Sequence, residues 1–226
     1  MLALLAHVVA ARTLGAPAFN LARLWADKRE ALHFSLGTSA KAFYTDFDKV
    51  TLARSALAGE LGAYTAAYRL VSMTFLPVRS LLDASASQFF RHGAESLTRS
   101  HAFARRLLRV ALPSGIAGAG LILAGAELAP HVLGPSFAES TPMLRMLAVL
   151  PLIQSVHYVF SDALTAAGLQ KLRTRLQWIV AAIYAVAALT VIPRMGWQSA
   201  AGVCLGCELL LAVLVVIATS RQMRAG

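Results

Sequence analysis

Charged residues are scarce in this 226-residue sequence, at 14%, whereas soluble domains usually hold about a quarter. Hydrophobic residues make up 58% of the chain, and the mean hydropathy is +0.63. Long stretches without charge are typical of chains that cross a bilayer. The composition therefore predicts a polytopic membrane protein and argues against a soluble globular domain.

Cysteine is also rare, because the chain has only Cys204 and Cys207. They form a CxxC inside an apolar run, with no second pair to complete the four ligands that structural zinc needs. We interpret them as small packing residues and predict no metal site. The sequence has no P-loop, so direct use of ATP is not expected, and we predict no cofactor.

Acidic residues are the rarer of the two charge types, with 11 Asp and Glu against 21 Lys and Arg, for a formal net charge of +10. A nucleic-acid-binding chain needs its basic residues on a soluble face beside aromatic platforms. Here they lie between apolar runs, where they indicate membrane topology. We therefore predict no binding to nucleic acid.

The apolar runs predict an all-α fold, a transmembrane helical bundle of about six spans. The predicted spans are 31–52, 62–89, 110–128, 142–168, 176–192 and 200–219. Residues 1–30 are interpreted as the end of a preceding helix plus a basic cytoplasmic linker, 31–220 as the six-span unit, and 221–226 as a cytoplasmic tail. Pro77 lies in the middle of the second span and is a candidate hinge. Gly202 and Gly206 form a GxxxG pair that favours close helix contact.

Basic and non-basic connections alternate along the chain. The segments 12–30, 91–109, 170–175 and 221–224 are basic, whereas the connections near 53–61, 134–141 and 193–199 hold few Lys or Arg. Short loops rich in Lys and Arg stay in the cytoplasm. This alternation predicts a multi-pass membrane topology of six spans with a cytoplasmic C-terminus.

Two consecutive spans carry polar residues at helical spacing. In the first span these are Lys41, Tyr44, Thr45 and Asp48; in the second they are Ser72, Arg79 and Asp83, with Arg69 at the edge of the face. An ionisable side chain inside a span usually faces protein or a water-filled cavity, so we predict a polar cavity between or beside these helices. In the simpler interpretation, Arg79 and Asp83 neutralise each other, Arg69 extends to the interface, and Asp46 and Lys49 anchor the membrane surface.

Several motifs, in order, resemble the polysaccharide transporter family, the Wzx-like flippases of O-antigen and exopolysaccharide within the multidrug/oligosaccharidyl-lipid/polysaccharide exporter superfamily. They are "FDKVTL" at 47–52, "LGAYTAAYRL" at 61–70, "VLGPSFAESTPMLRML" at 132–147, "ALTAAGLQKLRTR" at 163–175 and "IPRMGWQSAAGVCLGCELLL" at 192–211. The last run departs from the family pattern at Ser199, where glycine is usual. The resemblance covers roughly residues 30–220 and implies the C-terminal lobe of a two-lobed transporter with about twelve or more spans.

The resemblance implies transport without catalysis: movement of an undecaprenyl-pyrophosphate-linked oligosaccharide between membrane faces, with a missing N-terminal lobe or a second copy as partner. Lys41, Arg69 and Arg79 are the candidates for binding pyrophosphate, since arginine makes bidentate phosphate contacts. Tyr44, Tyr64 and Tyr68 are the candidates for binding sugar. Asp48 and Asp83 would position these cations or bind a coupling ion.

Three alternatives remain open from the sequence. A multidrug or cation antiporter lobe of the same superfamily would have the same fold but favour acidic residues in its cavity. An integral membrane glycosyltransferase or polymerase would usually carry a large outer loop or an acidic catalytic motif, and the outer loops here are short. A non-transporting fragment or assembly subunit is the third.

Overall fold

The computed structural model describes residues 21–55, 60–134 and 137–225, and the regular secondary structure of these residues is helical throughout. The α-helices are α1 (Leu21–Ala53), α2 (Leu61–Thr74), α3 (Leu76–Glu95), α4 (Leu97–Gly125), α5 (Ala129–Leu133), α6 (Ser140–Leu147), α7 (Leu150–Ala166) and α8 (Gln170–Ala225). A short 3-10 turn, Ala126–Leu128, joins α4 to α5. The all-α prediction is confirmed for this part of the chain.

The chain divides into two units, one up to Leu32 and one from His33 onwards. Every contact described below lies within the second unit. In the first unit, the described residues from Leu21 form the beginning of α1, although the sequence predicts a linker there. Arginine, lysine and glutamate are good helix formers, so a drop in hydropathy does not mark the end of a helix.

The second predicted span is two helices. α2 ends at Thr74 and α3 begins at Leu76, with Phe75 between them. Pro77 has no backbone N–H, so the helical ladder loses a hydrogen bond at this point. The break that the sequence suggests at Pro77 is therefore confirmed, whereas its use as a hinge stays a prediction.

Two segments predicted as basic connections are helical. The segment 91–109 is interrupted only at Ser96, whose hydroxyl caps α4 by accepting a hydrogen bond from Arg99 N at 3.2 Å. The segment 170–175 is the first turn and a half of α8. The basic residues of these two segments therefore do not end the helices that contain them.

Helix α8 changes direction at Gly196, whose φ of 62° and ψ of −144° are not helical. The following arm begins with backbone N–H groups that have no carbonyl within the helix to bind. A carboxylate oxygen of Glu60 accepts one of them, from Trp197 N at 2.9 Å. The motif predicted as a turn at 193–199 is thus a sharp break between two helical arms.

Replacing Gly196 by alanine is expected to destabilise the protein by about 2 kcal/mol, because its dihedral angles are almost exclusive to glycine. Thermal unfolding in detergent micelles measures the loss. The matched control is Gly206→Ala in the second arm of the same helix, where an added Cβ meets no described atom within 4 Å. Equal melting temperatures for the two variants would contradict the assigned strain.

The core is built around α4 and α7. Helix α4 packs against α3 and α7, and α7 also packs against α8. The closest approach is at Gly93 of α3, where an added Cβ would lie 2.2 Å from the backbone oxygen of Ala166. In the predicted GxxxG pair, an added Cβ on Gly202 would lie 3.7 Å from Met146 Cε, whereas Gly206 has open space around it, so only Gly202 faces another described helix.

Large apolar side chains cover much of the outer surface. Those exposed by half or more on α4 and α8 include Val110, Ile116, Leu121, Leu123, Ile179, Val186, Leu189 and Leu209. Three helical segments are long and apolar enough to cross a membrane: Leu97–Val132, Ser140–Ala166 and Gln170–Met223. These features fit a membrane-embedded protein, whereas the count of six spans stays a prediction.

Candidate functional site

A pocket of about 450 Å³ opens between α1, α3, α7 and the start of α8. Its apolar wall includes Leu82, Phe89 and Phe90. Its polar lining comprises Thr38, Arg79, Asp83, Tyr158, Asp162, Thr165, Gln170, Arg173 and Gln177. A pocket of this size with a few convergent polar groups is the usual form of a small-ligand site.

Arg79 and Asp83 lie on one wall of the pocket, one turn apart on α3. Arg79 Nε is 3.4 Å from Asp83 Oδ1, and both side chains are at least half exposed. An ion pair this exposed contributes little to stability, so either group exchanges its partner easily. Arg79 and Asp83 therefore form the ion pair expected in the simpler interpretation, and they also line a cavity.

Arg173 lies on the opposite wall and is held more firmly. Its Nη1 donates to Thr165 Oγ1 at 2.6 Å and to Asp162 Oδ1 at 3.2 Å, and the side chain is only 14% exposed. Arg173 is not among the predicted site residues, because it belongs to a segment predicted as a loop. The signal that was available is Asp162, a lone carboxylate in an apolar span, which needs a cation nearby.

Four of the predicted site residues that the structure describes, Asp48, Tyr64, Tyr68 and Arg69, are not part of the pocket lining. Arg69 is exposed on α2. The side chains of Lys41 and Tyr44 lie outside what the structure describes, although both residues are part of α1. Among the predicted site residues whose side chains the structure describes, Arg79 and Asp83 line the pocket.

Asp48, Tyr64 and Tyr68 meet at a separate place, where the end of α1 packs against α2. Asp48 is fully buried, and its Oδ2 accepts a hydrogen bond from the hydroxyl of Tyr64 at 2.6 Å. Lys49 Nζ lies 3.9 Å from the ring centroid of Tyr68 and 3.4 Å from Asp48 Oδ1. We call these four residues the Asp48 cluster.

The Asp48 cluster changes the interpretation of two sequence predictions. Tyr64 is completely buried, and its hydroxyl is already occupied by Asp48. Lys49 is 15% exposed, whereas Asp46 is 70% exposed, so surface anchoring describes Asp46 better than Lys49. The predicted residues described here thus fall at two separate places, the packed Asp48 cluster and the open pocket.

A second buried contact between ionisable side chains joins α7 to the second arm of α8. His157 Nδ1 lies 2.7 Å from Glu208 Oε1, and the two side chains are 0% and 6% exposed. The ring of His157 stacks on that of Tyr158, with centroids 4.6 Å apart. Glu208 is recognisable in sequence as a carboxylate within an apolar span, but nothing in the sequence identifies His157 as its partner.

The two cysteines lie beside this contact. Cys204 and Cys207 are buried and not disulfide-bonded. Their positions agree with the interpretation of small packing residues. Among the described residues, no group of three or more His, Cys, Asp or Glu side chains is arranged to hold a metal ion.

Comparisons with protein-family models, curated proteins and solved structures found no match to this chain. The resemblance to polysaccharide flippases therefore rests on the sequence motifs alone. What the pocket is able to bind is argued below from its own residues.

Proposed function

We propose that this chain is the C-terminal lobe of a flippase that moves lipid-linked oligosaccharide across the bacterial inner membrane during surface polysaccharide or lipopolysaccharide synthesis. The cargo would be an oligosaccharide on undecaprenyl pyrophosphate, moved without chemical change. Pyrophosphate and sugar lose their hydration in hydrocarbon, so they do not cross a bilayer unaided. A polar pocket within an apolar bundle removes that obstacle.

The observation that carries the proposal is the composition of the pocket. Two guanidinium groups, Arg79 and Arg173, line a cavity that also has apolar walls and hydrogen-bonding side chains. Guanidinium groups bind phosphate oxygens in a bidentate manner. The side chains of Thr165, Gln170 and Gln177 offer hydrogen bonds to sugar hydroxyls. This combination suits an amphiphile with an anionic head better than a purely apolar ligand.

The location of the pocket supports loading from the cytoplasm. Its lining includes the first residues of α8, where Lys171, Arg173 and Arg175 form one of the basic segments. Basic segments mark the cytoplasmic side. Lipid-linked oligosaccharide for export has its head group at that face, so the pocket would be accessible to cargo before transport.

The helices are compatible with six crossings. One crossing would be α1, one α2 with α3, one α4 with α5, and one α6 with α7, while the two arms of α8 on either side of Gly196 would provide the last two. Transporters are commonly built from two repeated lobes, and their substrate site lies where the two lobes meet. A missing lobe or a second copy would then complete the wall of the pocket.

One observation favours a second candidate, a lobe of a multidrug or cation antiporter. Asp83 and Asp162 line the same pocket, and carboxylates bind cationic substrates. The two candidates differ in which charge on the pocket wall is essential. They are therefore separable by substitutions of the arginines and of the aspartates.

The test is to introduce Arg79→Gln with Arg173→Gln at the chromosomal gene and measure surface polysaccharide in the native bacterium. Export is expected to decrease about tenfold or more, since a hydrogen bond to a charged group is worth about 1.5–3 kcal/mol. The control is Arg99→Gln, which removes an exposed arginine paired with Glu95 at the same helical spacing as Arg79 and Asp83. Export in the control should stay within about twofold of wild type.

Other outcomes separate the alternatives. Undiminished export in the double variant would refute a role of the arginines in flipping. If Asp83→Asn with Asp162→Asn instead made cells sensitive to cationic drugs, the antiporter lobe would be the better interpretation. If deletion of the gene affected neither property, the chain would be a fragment without transport activity. An immunoblot of native cells gives the size of the product and shows whether an N-terminal lobe is present.

A further inference from the structure

The contact between His157 and Glu208 has no part in the pocket chemistry proposed above. It lies inside an apolar bundle, and ionisable residues in such places are rare and usually functional. A carboxylate with a neutral imidazole carries a net charge of −1, and addition of one proton makes the pair neutral. The pair thus differs from Arg173 and Asp162, whose arginine stays charged throughout the working pH range.

One side of His157 is occupied and the other is not. Nδ1 faces Glu208, whereas Nε2 is buried and has no hydrogen-bond partner among the described residues. Ser161 is one turn further along α7, and its buried hydroxyl likewise has no described partner. A buried polar atom is costly to leave unsatisfied, and water is the usual group that satisfies it.

Two residues that line the pocket also have buried polar atoms without a described partner. On α8, Arg173 Nε and Gln177 Oε1 are also buried without a described hydrogen-bond partner, and both residues line the pocket. Arg173 Nη1 lies 3.5 Å from the backbone oxygen of Ser161, which places the two helices side by side here. Buried polar atoms without a described partner therefore occur at His157, at Ser161 one turn along α7, and at two pocket-lining residues of α8.

We propose that His157 and Glu208 form a proton-binding site that exchanges protons with the pocket through water beside Ser161. A proton leaves a hydronium ion in the pocket, passes along water, and bonds to Nε2 of His157, which changes the net charge of the pair from −1 to 0. Release reverses these steps. The proposal does not rest on the nature of the cargo and holds for a flippase, an antiporter or a chain without transport activity.

The other ionisable groups around the pair are compatible with this role. Those close enough to interact electrostatically with Glu208 are Tyr68 of α2, Tyr158 of α7, and Cys204 and Cys207 of α8. Asp162 interacts with His157 in the same way and is itself paired with Arg173. Because tyrosine and cysteine are ordinarily neutral near pH 7, the imidazole and the carboxylate are the groups suited to exchange a proton there.

The test is NMR of histidine ring nitrogens in the full chain reconstituted in lipid nanodiscs, between pH 5 and 9. Val156–His157 is the only Val–His step in the sequence, so selective labelling of valine carbonyl carbon and histidine nitrogen assigns His157 without a variant. The ring is expected to change protonation state within this range. In Glu208→Gln the midpoint should move by about one pH unit or more, since a neighbouring carboxylate favours the charged imidazole.

A second variant tests the route. Ser161→Ala removes the hydroxyl and is expected to slow proton exchange of the ring several-fold while leaving the midpoint unchanged. His131→Gln, an exposed histidine on α5, is the control and should alter neither quantity. A His157 ring that keeps one protonation state over the whole range in the wild-type protein would overturn the proposal, whatever the variants do. A midpoint unaffected by Glu208→Gln would do the same.

Discussion

Replacement of Gly93 by valine is expected to destabilise the protein by about 3 kcal/mol, at the upper end of the usual cost of overpacking a core. A Cβ on Gly93 would lie 2.2 Å from the backbone oxygen of Ala166 and 2.3 Å from its carbonyl carbon. A backbone atom cannot rotate aside as a flexible side chain does. Helices α3 and α7 would have to separate, and both of them form walls of the pocket.

The comparison for Gly93→Val is Gly120→Val on α4. That glycine is also helical, but it is exposed, and no described atom lies within 4 Å of an added Cβ. Both variants carry the same change in intrinsic helix propensity, so the difference between them isolates the steric contact. Thermal unfolding in detergent, followed by tryptophan fluorescence, measures it. Equal unfolding temperatures would show that α3 and α7 do not approach as closely as described.

Replacement of Asp48 by alanine is expected to cost about 3 kcal/mol, the lower end for the loss of one partner from a buried ionic contact. The fully buried carboxylate accepts hydrogen bonds from the Tyr64 hydroxyl and from Lys49 N. Without it, the tyrosine hydroxyl is buried and unsatisfied, and Lys49 loses its buried counter-charge. The free energy of unfolding in a detergent–denaturant titration gives the value.

Two further variants sharpen the Asp48 test. Asp46→Ala removes the same group two residues earlier, where the side chain is 70% exposed, and should cost less than about 1 kcal/mol. Tyr64→Phe removes only the donor and is expected to cost about 1–3 kcal/mol, because a carboxylate loses a hydrogen bond. If Asp48→Ala were no more harmful than Asp46→Ala, the cluster would not stabilise the end of α1.

Hydropathy predicted where apolar helices lie, but it did not predict where they begin and end. The short connection near 53–61 is in the predicted place, because α1 ends at Ala53 and α2 begins at Leu61. The break near Pro77 followed from the missing N–H of proline. The helices over 91–109 and 170–175 were missed, since charged residues end an apolar run without ending a helix.

In the candidate site, the sequence predicts pairs of residues on one helix but not pairs that join two helices. Arg79 and Asp83 are predictable as a pair because they lie four residues apart on one helix, and this spacing is visible in the sequence. Arg173 and His157 were missed because their partners, Asp162 and Glu208, lie on other helices. The need for glycine at position 93 is not predictable for the same reason, since it arises from the close packing of Ala166 on another helix. Tertiary pairing decides which polar residues share a cavity.

The sequence separation of the two buried side-chain contacts has a consequence for biogenesis. Asp48 and Tyr64 are 16 residues apart, whereas His157 and Glu208 are 51 apart. Because the ribosome delivers the N-terminal part first, Asp48 meets its hydrogen-bond donor almost as soon as α1 and α2 have emerged. His157 enters the nascent bundle well before Glu208 is synthesised. Asp48 and Tyr64 are therefore able to meet early in synthesis, whereas His157 meets Glu208 only after the second arm of α8 has been made.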